Sequence, residues 1–379
     1  MPPPDHAEYR DRRTFANLDG LRCLSIVAVL WYHVPRREHL PGALERGFLG
    51  VDLFFVLSGF LITTLLLRER EKHGRISLAA FYMRRTLRIF PIYYLALLGY
   101  SLWVAWSQTA AQLHIRVPYF AALPYYATYT SNLVDTELTW RHTWSLATEE
   151  QFYLLWPPLL AWLGPRLSLW VLAAAFLITQ ALSFGRLDWL FAAGWHPEAA
   201  FVGATFAPIL LGVMLAKLLH TRRGHGLAAG CFGAPWTGAL LAGAVLAAAS
   251  LPEGPGLELP SGLVHFRGLP RLLTHLAMAL LLAHCVVQER TWLRGLLTLR
   301  PIAYLGRISY GIYLLHAPVF LVWYAGGFQW FGLPAPQLGL AGALGMFAVA
   351  SLVTIAVAAL SFHLFEMPFL RLKQRFERR

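Results

Sequence analysis

Ionisable side chains placed inside long apolar runs are what this sequence offers for chemistry. The run Leu18–Val34 carries Arg22 and His33. Such residues are expensive in lipid and are functional-site candidates by default. Eleven residues make about three turns of a helix, so both side chains are predicted to project from nearly one face, roughly 16 Å apart along the axis. They would not touch each other. They suit two ends of one long substrate, or two substrates that meet within a membrane. The plainer reading has Arg22 snorkelling to one surface and His33 to the other.

Asp52 lies early in the next apolar run, at a predicted depth near that of His33. A carboxylate beside an imidazole fixes its tautomer and raises its basicity; a helix-end Asp at the interface is the simpler alternative. Glu149 and Glu150 fall about two turns into the segment Thr143–Pro157, too deep for lipid-facing carboxylates. Adjacent residues point about 100° apart on a helix, so the two are expected to do different jobs, one of them pairing with an arginine. His142 opens that segment, and His316 sits well inside Tyr310–Pro318. The basic segment Arg68–Arg88 ends in Arg84, Arg85 and Arg88 just before a predicted helix. Arg84 and Arg88 would share a helical face, and guanidinium groups bind phosphate bidentately. Topology enforcement and contact with anionic headgroups would also account for that charge.

The elements that must position these residues are membrane spans. Of 379 residues, 57% are hydrophobic and 14% charged, against about 25% charged in soluble chains. A span needs about 20 mostly apolar residues. The pattern predicts an all-α polytopic membrane bundle of about ten spans: Leu18–Val34, Phe48–Leu67, Ile89–Ser107, His142–Leu163, Leu167–Phe184, Ala199–Leu219, Gly230–Ser250, Leu272–Gln288, Ile302–Tyr324 and Leu338–Phe365. Gln108–Thr139, with its aromatic run Tyr119–Tyr129, and Leu251–Pro270 read as loops. No fixed-period repeat is visible. Residues 1–14 read as a polar tail with no cleavable signal, 15–369 as one membrane domain and 370–379 as a basic tail.

Ten spans put both termini on one side. Arg10–Arg13, Arg68–Arg88, Arg166, Lys217–Arg223, Arg290–Arg300 and Arg371–Arg379 then fall inside, while Arg36, Arg37, Arg46, Arg116, Arg141, Arg186, Arg267 and Arg271 fall outside. This asymmetry predicts cytoplasmic termini. It also explains the net charge of +12 without nucleic acid, since no basic stripe interleaves with exposed aromatics. Cys23, Cys231 and Cys285 all lie in apolar stretches and are expected to be buried, with no disulfide framework or metal-ligand spacing.

Four segments resemble the membrane-bound acyltransferase-3 family, the bacterial O-acyltransferases of surface sugars: Leu18–His33, with an Arg-x10-His pair in Arg22 and His33; Gly47–Leu61; Arg84–Pro91; and His142–Pro157. Ser309–His316 and Phe365–Pro368 are weaker echoes, and the likeness runs from about Phe15 to Phe369. The sequence departs from many members at Met83, where they carry one more basic residue. Some members append an extracytoplasmic esterase-like domain; none is read here, so the last transfer is expected in the membrane domain or on a separate protein.

The resemblance implies an enzyme of the inner membrane that moves an acyl group, commonly acetyl, from cytoplasmic acyl-CoA to a carbohydrate hydroxyl on the other side. It implies His33 as general base, Arg22 as neutraliser of donor or developing charge, Glu149, Glu150 and Asp52 as orienting groups, and Arg84, Arg85 and Arg88 as phosphate binders. His142, Trp144, Ser145, Tyr153, Tyr313 and His316 are candidate substrate contacts. No metal is called for. A covalent route through His33 or Ser58 stays open, although the Ser58–Gly59 pair suits a close helix contact more simply. Two other classes compete. A transporter of lipid-linked sugar would suit intramembrane charge, but the chain shows no pair of corresponding halves. A glycosyltransferase would be expected to carry paired acids in the first outer loop, where only Glu38 and Glu45 occur, well separated.

Overall fold

The computed structural model describes residues 5–12, 14–33, 42–106, 110–134, 140–189, 198–252, 257–258, 264–265, 268–288, 291–324 and 340–376. Arg36, Arg37, Glu38, Arg267 and Arg290 lie outside them. Helices dominate: α1 His6–Asp11, α2 Ala16–Trp31, α3 Leu49–His73, α4 Leu78–Trp106, α5 Ala110–Ala127, α6 Trp144–Trp162, α7 Pro165–Ser183, α8 Glu198–His220, α9 Arg222–Phe232, α10 Thr237–Ser250, α11 Leu269–Val287, α12 Trp292–Leu297, α13 Arg300–Arg307, α14 Ser309–Tyr324, α15 Leu340–Ser361 and α16 Met367–Lys373. One antiparallel pair of two-residue strands, Leu257–Glu258 and Val264–His265, is the described β-structure.

The chain divides into two compact units. The first comprises Met1–Val29, Leu40–Ile76 and Phe152–Arg307, and the second Leu30–His39, Ser77–Gln151 and Ile308–Arg379. In the first, α3 packs along α8 at very close range. A Cβ on Gly59 would collide with the Ile209 carbonyl, and one on Gly212 with the Val56 carbonyl. Small residues let helix backbones approach in this way where dispersion, rather than water, drives packing. Phe15, Leu18, Leu21, Val56, Phe60, Leu219, Leu282 and Val286 fill the core around this contact. The polar N-terminal segment is anchored here too. Tyr9 of α1 is buried beneath the Arg68 guanidinium, Arg68 donates to the Tyr9 carbonyl at 2.7 Å, and Arg10 pairs with Glu71. Burial pushes the Tyr9 phenol above its ordinary range.

In the second unit, α4 runs beside α5 and α14 lies along α15. Pro91, Pro118, Pro124 and Pro318 all fall inside helices. Neighbouring helices and local adjustment re-satisfy the backbone that proline frees. The turn after α5 is closed by side chains on α4 and α6. Tyr93 and Tyr94 donate to the Tyr126 and Ala127 carbonyls at 2.8 and 2.9 Å, and Gln151 donates to the Tyr129 carbonyl at 3.0 Å. These bonds hold Tyr129 at φ 54°, in the left-handed region.

Several expectations are corrected. Among the described residues, five helices are long and apolar enough to cross a membrane, or seven if each of two bent pairs is one span; these lengths and compositions do not by themselves establish the expected count of about ten. The predicted span Gly230–Ser250 is two helices, α9 and α10, bent by 85°, and Ile302–Tyr324 is α13 and α14, bent by 71°. Hydropathy registers apolar length but not direction, so it merges both pairs. The basic stretch Arg68–Arg88 is mostly helix rather than loop. It is the end of α3, closed by left-handed Gly74, and the start of α4. Arg84, Arg85 and Arg88 therefore lie within a helix that begins at Leu78, not before one that begins near Ile89. Much of the expected loop Gln108–Thr139 is α5. Cys231 is exposed, while Cys23 and Cys285 are buried.

The close α3–α8 contact gives a direct test. Gly59→Ala is expected to cost about 1–3 kcal/mol through overpacking and to lower the thermal midpoint in detergent. Gly243→Ala, where an added Cβ meets nothing within 4 Å, is expected to leave it unchanged.

Candidate active site

The second unit gathers His33, His142, Ser145, Tyr313 and His316. The His33 and His316 rings are 4.8 Å apart between centroids, and the His142 and His316 rings 5.0 Å, both edge to face. Phe320 borders His33 at 5.7 Å, and Trp140 borders His142 at 5.3 Å. Backbone carbonyls settle two tautomers. His142 donates from Nε2 to the Leu314 carbonyl at 3.1 Å, and His316 donates from Nδ1 to the Tyr313 carbonyl. Their other nitrogens, Nδ1 of His142 and Nε2 of His316, are buried with no hydrogen-bond partner among the described residues. A buried imidazole with one nitrogen unpaired strongly favours the neutral form. Both rings thus present a lone pair rather than a charge.

A hydroxyl pair braces these rings. Tyr313 donates to the His142 carbonyl at 2.9 Å, and its oxygen lies 2.5 Å from Ser145 Oγ. His142 and Ser145 stand near the start of α6, and Tyr313 and His316 lie on α14, so contacts between these two segments build the cluster. Trp140 stacks on Tyr100 at 4.8 Å and forms one wall of an apolar cavity of about 480 Å³, lined also by Trp103, Leu315, Val319 and Trp323. Ligand pockets commonly have this size and lining.

A second polar group in the same unit brings arginines to carboxylates. Glu149 and Glu150 occupy the second turn of α6, both half-buried. Glu150 lies in the field of Arg85 and of the Tyr129 and Tyr310 hydroxyls. Arg88 acts in the same way on Glu366, and Arg84 donates to the Phe376 carbonyl at 2.9 Å.

In the first unit Arg22 pairs with Asp19 one turn earlier, at 3.3 Å. The expected run of helix from Arg22 to His33 is interrupted: α2 ends at Trp31, and His33 N–H bonds to the Leu30 carbonyl in a tightened turn, at 3.0 Å. Asp52 is 2% exposed and held by two partners, Arg271 at 3.4 Å and His275 Nε2 at 3.0 Å. Arg271, expected in an outer loop, is a buried helical residue. Tyr153 donates to Ser58 at 3.2 Å, and Trp144 opens α6 half-buried.

Sequence reasoning missed Arg271 and His275, although their i,i+4 spacing at the start of an apolar helix was a readable signal. It also missed Asp19 at i−3 from Arg22, and it marked Ser309–His316 and Phe365–Pro368 without singling out Tyr310 or Glu366. Among the described residues, no group of three or more His, Cys, Asp or Glu side chains is arranged to hold a metal ion.

These features define a helical membrane protein with polar clusters buried among its helices. The acyltransferase-3 family model, described as an acyltransferase domain, matches residues 15–363, and the chain belongs to that family. It is 28% identical over 393 residues to YrhL of Bacillus subtilis, provisionally named a peptidoglycan O-acetyltransferase; the match covers 94% of this chain and 55% of that one. It is 28% identical over 330 residues to the peptidoglycan O-acetyltransferase OatA of Listeria monocytogenes, covering 81% and 50%. The chain thus spans about half the length of these relatives. No solved structure matches it.

The Asp52 group is a buried ion-pair cluster, and removing one partner strands the other's charge. Asp52→Ala is expected to cost about 3–5 kcal/mol. The double variant Asp52→Ala/Arg271→Met is expected to regain much of that loss in thermal unfolding.

Proposed function

We propose that the protein moves an acyl group, acetyl in the simplest case, from acyl-CoA to a hydroxyl of a surface or exported carbohydrate. The observation that carries this reading is the packing of His33 against His316 and of His316 against His142, with one N–H each of His142 and His316 held by a backbone carbonyl. Family membership supports acyl transfer. The printed names of the Bacillus and Listeria relatives make peptidoglycan one candidate acceptor.

In this reading His33, which is half-buried where His316 is buried, acts as general base. It takes the proton of the acceptor hydroxyl as that oxygen attacks the thioester carbonyl. The C–S bond breaks, and the thiolate of CoA takes the proton back from the imidazolium. His316 and His142 pack behind His33 and fix its ring. Arg84, Arg85 and Arg88 receive the phosphates of the donor, Arg22 offsets donor or developing negative charge, Glu149 and Glu150 orient those groups, and Asp52 helps to hold the site. Trp144, Ser145, Tyr153 and Tyr313 are substrate contacts in the same scheme.

The setting is the bacterial inner membrane with both termini cytoplasmic. Adding α2, α6 and α8 to the five long helices and two bent pairs supports a count of ten spans. Residues 15–369 form the membrane domain, between tails at 1–14 and 370–379. The two bent pairs also suit a transporter of lipid-linked sugar. That reading would be supported by movement of unmodified substrate without acyl-CoA.

The test is transfer by purified protein in detergent, read by mass spectrometry of the acceptor. His33→Ala is expected to lower the rate about 10²–10⁴-fold with an unchanged thermal midpoint. Normal transfer by a folded His33→Ala protein would end the base assignment.

A further inference from the structure

The apolar cavity of the second unit has no task in the scheme above. We propose that it takes the hydrocarbon chain of an acyl donor longer than acetyl, of roughly ten carbons; this rests on the acyl-CoA reading. Two helix stripes build it. Ala96, Gly99, Tyr100 and Trp103 on α4 recur at i, i+3, i+4 and i+7, and so do Leu315, Pro318, Val319 and Val322 on α14. That is the spacing of one helical face. Glycine inside a helix costs stability relative to alanine, and Gly99 is where α4 withholds a side chain. A Cβ there would meet nothing within 4 Å. The volume is about 480 Å³. A molecule of liquid water takes about 30 Å³, and a methylene group is of similar size, so about ten carbons fit with room to move.

The walls select the ligand. They are almost wholly apolar. A sugar hydroxyl or a phosphate placed there would lose its water and gain no partner, so neither the carbohydrate acceptor nor the CoA headgroup suits the space. Apolar cavities stay dry and take apolar ligands. Two hydrocarbons can reach it, a tail of bilayer lipid and the acyl chain of the donor. Position favours the donor. Trp140, in the cavity wall, stacks on Tyr100 at 4.8 Å and meets the His142 ring edge to face at 5.3 Å. Leu315 of the wall directly precedes His316. Ring-to-ring steps of 5.0 and 4.8 Å lead from His142 through His316 to His33, where the scheme places the thioester carbonyl. An extended ten-carbon chain is roughly 11 Å long, more than those two steps together. The donor chain begins at this cluster, and a bilayer tail does not.

The full chain in phosphatidylcholine nanodiscs tests this, with acetyl-CoA and decanoyl-CoA as donors, peptidoglycan fragments as acceptor and CoA release as the readout. KM for decanoyl-CoA is expected about tenfold or more below that for acetyl-CoA, since each methylene buried is worth about fourfold at most. Gly99→Leu fills the space from α4 and should bring the ratio of the two KM values close to one. Val319→Trp fills it from α14 and serves if Gly99→Leu folds poorly. Decanoyl-CoA with a diazirine at its chain end should label α4 and α14 at the cavity wall in wild type and lose those labels in the filled variants. Labelling needs no turnover, so it tests the site even if the acceptor is wrong. Equal KM values in wild type, an advantage that survives both filled variants, or labels away from the wall would overturn the assignment. So would a diazirine-bearing phosphatidylcholine that labels the wall undiminished by decanoyl-CoA, which would give the cavity to bilayer lipid. A wild-type protein that neither releases CoA from either thioester nor takes the label would overturn the acyl-CoA reading itself, and this assignment with it.

Discussion

Every polar group buried among these helices has to find its partner within the protein, because hydrocarbon supplies none. That constraint orders the sites of both units. It places Asp52 between Arg271 and His275, sets Glu366 against Ser361, and fixes one N–H each of His142 and His316 on backbone carbonyls. Not every buried polar atom does so: Nδ1 of His142 and Nε2 of His316, in the cluster that contains His33, have no hydrogen-bond partner among the described residues, and nor do Nε2 of His225 and of His284 in the first unit. Unsatisfied buried groups are costly and persist mainly where structure or function requires them.

The constraint also explains where the helices depart from regular form. Gly59 and Gly212 bring two backbones together by giving up side chains. The turn at Tyr129 is strained in φ, yet hydrogen bonds from Tyr93, Tyr94 and Gln151 over-determine it. The π turn before α16 re-aims Glu366. Each is a local cost that positions either a helix contact or a polar side chain, the pattern expected when strain collects near working parts of a protein.

Much of this was legible in the sequence. The apolar runs gave helices, and ionisable residues within them gave His33, His142, His316, Glu149 and Glu150, which the second unit brings into two polar groups. Less legible was anything that depends on direction or on partners distant in sequence. Hydropathy does not report an 85° bend, so α9 and α10 read as one span. The charge of Arg271 suggested a loop because its partner, Asp52, lies 219 residues away. Phe365–Pro368 stood out in the sequence, but the π turn that buries Glu366 left no mark in composition. The end of α2 at Trp31, two residues before His33, was not marked in the sequence either.

The most direct measurement of the central claim is nitrogen NMR of ¹⁵N-histidine-labelled protein in lipid, with signals assigned by single His→Ala variants. The account predicts neutral rings at both positions, with the proton on Nε2 in His142 and on Nδ1 in His316. A charged imidazolium at either position, or the opposite tautomer, would contradict it.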